Sequence, residues 1–175
     1  LIFDGNSFIL DKNGSKIKQL KSFSEDLSSW EIEQTKPEKN KFENSEMSSI
    51  FDALVLGVKD YAKKCGFKTA LVGLSGGIDS ALVSAIATAA LGSDNVYCVS
   101  MPSKWSSSHS KSDAKDLASR LKISFKSIPI ENLMTSFEES FIKTISFEMA
   151  EITNQNIQSR IRGTLLMALA NQEKH

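Results

Sequence analysis

Leu71–Ala85 reads LVGLSGGIDSALVSA, and its apolar spacing changes midway. A short run from Ala70 to Val72 stops at Gly73; Ser75, Gly76, Gly77, Asp79 and Ser80 follow, and helical spacing then runs through Leu82, Val83 and Ile86. This predicts a buried strand, a glycine turn and the start of a helix. Adjacent glycines let the backbone turn sharply and gather its N–H groups in one concavity, and the N-terminus of the next helix adds partial positive charge. Gly73, Leu74, Ser75, Gly76, Gly77, Ile78, Asp79 and Ser80 are therefore a candidate phosphate cradle. Ser75 and Ser80 offer hydroxyls, and Gly76, Gly77 and their neighbours offer amides. The pattern is not a Walker A loop, which needs a Lys absent here, nor is it G-x-G-x-x-G. A plain strand-to-helix connection with Asp79 or Ser80 as N-cap would not need the whole S-G-G-x-D-S run.

Downstream, Asn95–Met101 (NVYCVSM) reads as a second strand closed by Pro102, Ser110–Leu121 as a helix, and Ile123–Ile130 as a third strand ending at the Pro129 turn. Strands alternating with helices predict an α/β fold, a parallel sheet with right-handed crossovers. Ligands of such sheets sit beyond the carboxyl ends of the strands, so the Gly73 loop and Met101-Pro102-Ser103 should share one rim. Helices should follow at Glu131–Phe141 and, in one piece or two, at Glu148–Asn171. Within the last, Asn156, Arg160 and Gly163 fall on one stripe and Ile157, Ile161, Leu165 and Ala168 on another. Upstream, Ile50, Leu54, Val58, Tyr61 and Cys65 recur at three- and four-residue steps from Ser48, an amphipathic helix ended by Gly66.

The N-terminal stretch differs. Phe8–Leu10 and Ile17–Leu20 flank Asp11-Lys12-Asn13-Gly14, a hairpin signal because Asn and Gly both accept positive φ. Residues 28–47 are polar, with Pro37, and read as a linker; Trp30 is expected to dock on a neighbouring domain. Three spans follow: 1–27, the linker 28–47, and a nucleotide-binding domain over 48–175. The chain opens on Leu1 and not Met, which suggests a piece of something longer.

Composition excludes several classes. With 41% hydrophobic residues and a formal net charge of +0, the chain can bury a core, and its charge gives no support to nucleic acid or an acidic membrane surface as partner. No apolar run approaches the roughly 20 residues of a bilayer span. Cys65 and Cys98 make neither a disulfide framework nor a C-x-x-C site, so a cytoplasmic setting fits. Both cysteines are expected to pack, and His109 reads as a surface residue. Ser103, Lys104 and Ser106–Ser108 follow a strand at the rim, where a phosphate or ribose contact competes with a flexible Ser-rich loop, an expectation at least as strong.

Asp79 would be repelled by bare phosphate. Its carboxylate suits a site where Mg²⁺ lies between it and a pyrophosphate, because Mg²⁺ is commonly held by one or two carboxylates plus substrate oxygens. The S-G-G-x-D-S loop resembles that of the AMP-forming ATP pyrophosphatases. Taken with Met101-Pro102-Ser103, the Ser-rich run, Asp113-Ala114 and above all Asn156-Ile157-Gln158-Ser159-Arg160-Ile161-Arg162-Gly163, the resemblance narrows to the NAD⁺ synthetase family over Ser48–Asn171. Leu1–Leu27 resembles the end of the nitrilase-like glutaminase domain that precedes it in the glutamine-dependent members.

The resemblance implies a Rossmann-like three-layer α/β/α domain of the adenine nucleotide alpha hydrolase type. It implies that ATP adenylylates the nicotinate carboxylate of deamido-NAD⁺, that pyrophosphate leaves, and that ammonia from glutamine displaces AMP. Carried over, Gly73–Ser80 would bind ATP, Asp79 would be catalytic and hold Mg²⁺, and Asn156 and Arg160 would contact deamido-NAD⁺; Arg160 can pair bidentately with an anion, although a solvated helix face or a structural salt bridge is the plain alternative for both. The resemblance further implies a homo-oligomer in the full-length parent. A second acidic metal ligand would lie after His175 and the glutaminase nucleophile before Leu1, so these residues alone are expected to be inactive. The alternatives are a nucleotide-binding module without turnover, or another amidotransferase with this loop, such as GMP synthetase.

Overall fold

The structure, a computed structural model, describes residues 1–31, 45–145 and 149–173. It divides into two compact units, Leu1–Tyr61 and Ala62–His175, and the division falls in the last turn of a helix. In the first unit β1 (Phe8–Leu10) pairs antiparallel with β2 (Lys16–Gln19), so the predicted hairpin forms. Its turn is not the expected one. Of Asn13 and Gly14 only Gly14 has positive φ, and the Asp11 carboxylate accepts the N–H groups of Asn13 and Ser15, both at 2.8 Å. An Asp that closes the loop with its own side chain leaves Asn13 free of the left-handed region.

α1 (Glu46–Cys65) begins two residues before the expected Ser48. Pro37 and most of the linker, 32–44, lie outside the described residues. Gly57 makes room for Ile2: a Cβ there would stand 2.8 Å from the Ile2 Cδ1. The predicted apolar stripe does not form a core, because Ile50, Leu54, Val58, Tyr61 and Cys65 are all exposed and only Ala62 of this helix is buried. Cys65, expected to pack, sits in solvent because the stripe it ends has no covering element among the described residues. The Trp30 ring is half-buried, with Lys18 Nζ 5.6 Å from its centroid.

The second unit is the α/β domain. β3 (Ala70–Gly73), α2 (Ile78–Leu91), β4 (Val96–Ser100), α3 (Ser108–Leu121) and β5 (Ser124–Ser127) build a parallel sheet of order β3-β4-β5, followed by α4 (Glu131–Ile145) and α5 (Glu151–Glu173). The strands are shorter than their apolar runs, yet pairing continues past their ends: Leu74 N donates to Val99 O at 2.9 Å and Ile130 N to Pro102 O at 2.9 Å. One face packs Leu74, Ala87, Cys98, Ala114 and Ala118, from the α2 and α3 side; the other packs Val99, Met101, Ile130, Met134 and Ile161, from the α4 and α5 side. That is the expected three-layer arrangement. β4 is central and buried on both faces, which is why it reads as a continuous apolar run, whereas β5 is an edge with exposed Ser124, Lys126 and Ser127. On α5 the inner stripe holds Ile157, Ile161 and Leu165 as predicted, but Leu166 and Leu169 complete it, and Ala168 is exposed. Among the described residues no helix is long and apolar enough to cross a membrane.

Candidate functional site

The glycine loop is closed by its own serines. Ser75 N donates to Ser80 Oγ at 3.2 Å, Gly77 N to Ser75 Oγ at 3.1 Å, and Ser80 Oγ to Gly77 O at 3.0 Å, while the two hydroxyls lie 3.0 Å apart. Ser75 and Ser80 therefore shape the backbone in addition to any contact with a ligand. Gly77, not Asp79 or Ser80, occupies the N-cap position of α2, and no side chain caps it. The N–H groups of Gly76, Ile78 and Asp79 have no partner among the described residues, as expected at the start of a helix. They supply the donors an anion would want.

Gly76 is the most constrained residue here. Its φ is +86°, and an added Cβ would lie 2.1 Å from Ser110 O. The loop thus rests directly on the backbone of the first turn of α3. Ser107 anchors that turn by accepting the Ser110 N–H at 3.1 Å. The preceding Ser-rich run, one of whose expected forms was a flexible loop, makes a turn bound by its own groups: Ser106 N donates to Ser103 O at 3.0 Å, and Ser103 N to Ser106 Oγ at 3.0 Å.

A cleft of about 320 Å³ opens at this rim, lined by Gly73, Leu74 and Ser75 from the β3 end, by Val99, Ser100, Met101 and Pro102 from the β4 end, by Ser106, Ser110 and Lys111 before and within α3, and by Arg162 and Leu166 from α5. The two strand ends expected to share a rim do so. The floor is apolar, and among the described residues the only charged ones lining it are the cations Lys111 and Arg162. Arg162 Nε donates to Met101 O at 3.2 Å and its Nη2 to Gln158 Oε1 at 3.4 Å. Desolvation in this half-buried position holds its pKa below the ordinary arginine value.

Of the predicted residues, Gly73, Leu74 and Ser75 line the cleft, and Gly76 to Ser80 continue the loop into α2. Asp79 is exposed in the first turn of α2, with no hydrogen bond or ion pair among the described residues. Among the described residues, no group of three or more His, Cys, Asp or Glu side chains could hold a metal by itself. One free carboxylate beside unpaired amides fits a cation shared with a phosphate ligand, and does not fit a protein-only metal site. Asn156 and Arg160 are exposed and bond each other, Arg160 Nη1 to Asn156 Oδ1 at 3.3 Å, and neither lines the cleft. Arg162 and Lys111 line the cleft although neither belongs to the glycine loop or the Asn156–Arg160 stripe. A signal existed for Arg162: two residues beyond Arg160 on a helix is about 200° round the axis, so if one faces out the other faces in. Nothing local marks Lys111, whose place depends on how α3 meets the loop.

The family model for NAD synthase matches residues 50–175. A glutamine-dependent NAD⁺ synthetase from Synechocystis sp. is 43% identical over the whole chain, which covers 32% of that relative. The solved glutamine-dependent NAD⁺ synthetase from Acinetobacter baumannii, in complex with adenosine diphosphate, superposes with a TM-score of 0.89 at 37% identity, over 98% of this chain and 34% of that one. An NH₃-dependent NAD synthetase from Campylobacter jejuni gives a TM-score of 0.63 at 29% identity over 74% of this chain and 54% of that one. The chain spans about a third of the length of the curated relatives it matches.

Proposed function

Because this chain belongs to the NAD synthase family, we propose that the full-length protein is an ATP-dependent ligase that amidates deamido-NAD⁺ to NAD⁺, and that these residues carry its nucleotide half-site. The nicotinate carboxylate is a poor acceptor for ammonia. Attack of its oxygen on the α-phosphorus of ATP forms an acyl-adenylate and expels pyrophosphate; ammonia then attacks the acyl carbon, loses a proton, and displaces AMP. Gly73–Ser80 bind the phosphates through backbone amides, which act without reorganisation where charge develops. Asp79 would hold Mg²⁺ together with the nucleotide's phosphate oxygens, where such an ion would supply positive charge to the leaving pyrophosphate. Asn156 and Arg160 contact deamido-NAD⁺ from the outer stripe of α5. The ammonia comes from glutamine through a nitrilase-like domain whose last part is 1–27, and the enzyme works in the cytoplasm as a homo-oligomer.

The observation that most supports this reading is the S-G-G-x-D-S loop braced on α3 beside a cleft with cations and no carboxylate, at the carboxyl ends of a parallel sheet. The test is product analysis on the full-length protein with ATP, ammonia and deamido-NAD⁺. AMP and pyrophosphate are expected, with Asp79→Ala abolishing turnover; ADP and phosphate would overturn the reading. Xanthosine monophosphate and aspartate offered as acceptors should give nothing. The 175 residues alone should bind ATP weakly and not turn over.

A further inference from the structure

We propose that Lys111 and Arg162 receive the phosphates of the bound nucleotide, taking the place of the lysine that the S-G-G-x-D-S loop lacks. The proposal rests on the nucleotide reading above and adds two residues to it. Both side chains line the same cleft, and no carboxylate among its lining residues offsets them. Lys111 makes no side-chain hydrogen bond or ion pair among the described residues. Arg162 commits one N–H to Met101 O and one to Gln158 Oε1, which leaves three of the five guanidinium donors without a partner among the described residues. Two uncompensated cations in one cleft repel each other, and an anionic ligand relieves that repulsion.

Their placement matches the loop on two sides. Lys111 follows Ser110, the residue whose backbone abuts Gly76, so its flexible stem starts next to the loop's tightest point. Arg162 is tied to the carbonyl of Met101, just past the end of β4, and β4 pairs with β3 at Val99 and Gly73 where the loop begins. The two cations also differ usefully. A guanidinium held by its own hydrogen bonds presents a fixed fork to phosphate oxygens, whereas an ammonium follows the charge as a mobile point. Burial lowers the pKa of Arg162 but does not discharge it, since arginine stays protonated in proteins.

Equilibrium titration of the full-length protein with ATP, and separately with adenosine, tests this in wild type, Lys111→Gln, Arg162→Lys and Arg162→Gln. The ATP Kd should rise about tenfold in Lys111→Gln and at least as much in Arg162→Gln, the range for losing a charge-assisted hydrogen bond, with Arg162→Lys between Arg162→Gln and wild type. Adenosine affinity should not move, because it carries no phosphate. Unchanged ATP affinity in the Gln variants would overturn the proposal. So would an equal loss for adenosine and ATP, which would mean that these residues only shape the apolar floor. Lys111 is exposed, so Lys111→Gln keeps the test decisive even if Arg162→Gln fails to fold. A wild-type protein that binds neither ligand would overturn the nucleotide reading itself.

Discussion

β4 and α1 are both written in apolar residues, yet they end in opposite environments. In β4, Val96 and Val99 are 0% and 1% exposed. In α1, Leu54 is 44% and Tyr61 66% exposed, although their spacing is that of a core-facing stripe. An apolar pattern states which face gains from burial, while what covers it is a property of the elements around it. For β4 the covering elements lie on either side of it in the chain: α2 before it and α3 after it cover one face, and α4 and α5, further on, cover the other. For α1 no such element appears among the described residues.

The sharpest break in this comparison should come from glycine, since two glycines with similar φ have different surroundings. Gly76 has φ +86° and a Cβ position 2.1 Å from Ser110 O; Gly66, which ends α1, has φ +75° and nothing within 4 Å. Gly76→Ala should destabilise by about 3 kcal/mol or more, combining left-handed strain with a backbone clash that cannot relax cheaply. Gly66→Ala carries only the left-handed strain, about 1 kcal/mol. Denaturant unfolding of the two variants measures the difference, and equal losses would mean the loop does not rest on α3.

The apolar pattern is tested next. Val99→Ala should cost about 2 kcal/mol through lost burial and an unfilled cavity. Leu54→Ala should stay within about 0.5 kcal/mol, as for an ordinary surface change. If the two variants lost stability equally, the α1 stripe would be covered in solution and the contrast with β4 would fall.

The same difference separates what could be read in the residues from what could not. The strand, loop and helix of Leu71–Ala85, the parallel alternation and the shared rim were legible because they follow from local backbone chemistry and from periods of two and 3.6 residues. The Gly76–Ser110 contact joins residues thirty-four apart in sequence, and no spacing encodes it. Arg162 belongs to the same helical motif as Asn156 and Arg160 but faces inward, and the outward stripe carries no information about what an inward side chain meets. Asn-Gly by itself predicts two residues at positive φ, whereas the Asp11 carboxylate two residues before Asn13 closes the loop differently.

The two cysteines provide the finest probe, each sitting in one of the compared regions. Cys65, at the end of α1, is exposed and should be labelled by a thiol reagent in the folded protein. Cys98, in β4, is 1% exposed, and burial raises its pKa, with the Ser84 hydroxyl at 3.6 Å lowering it by less. It should react only when the sheet opens. The sign of its pH effect follows from the raised pKa: the native state favours the neutral thiol, so the folded protein binds that proton more tightly than the unfolded chain does. The contribution is complete below the unfolded thiol pKa and is lost as pH rises through it toward the folded value. Cys98→Ala should therefore unfold with a shallower loss of stability on the alkaline side than wild type. Unfolding curves across the alkaline range, paired with thiol-labelling rates, read both effects. Rapid labelling of Cys98 at neutral pH would mean that β4 is not the closed centre of the sheet.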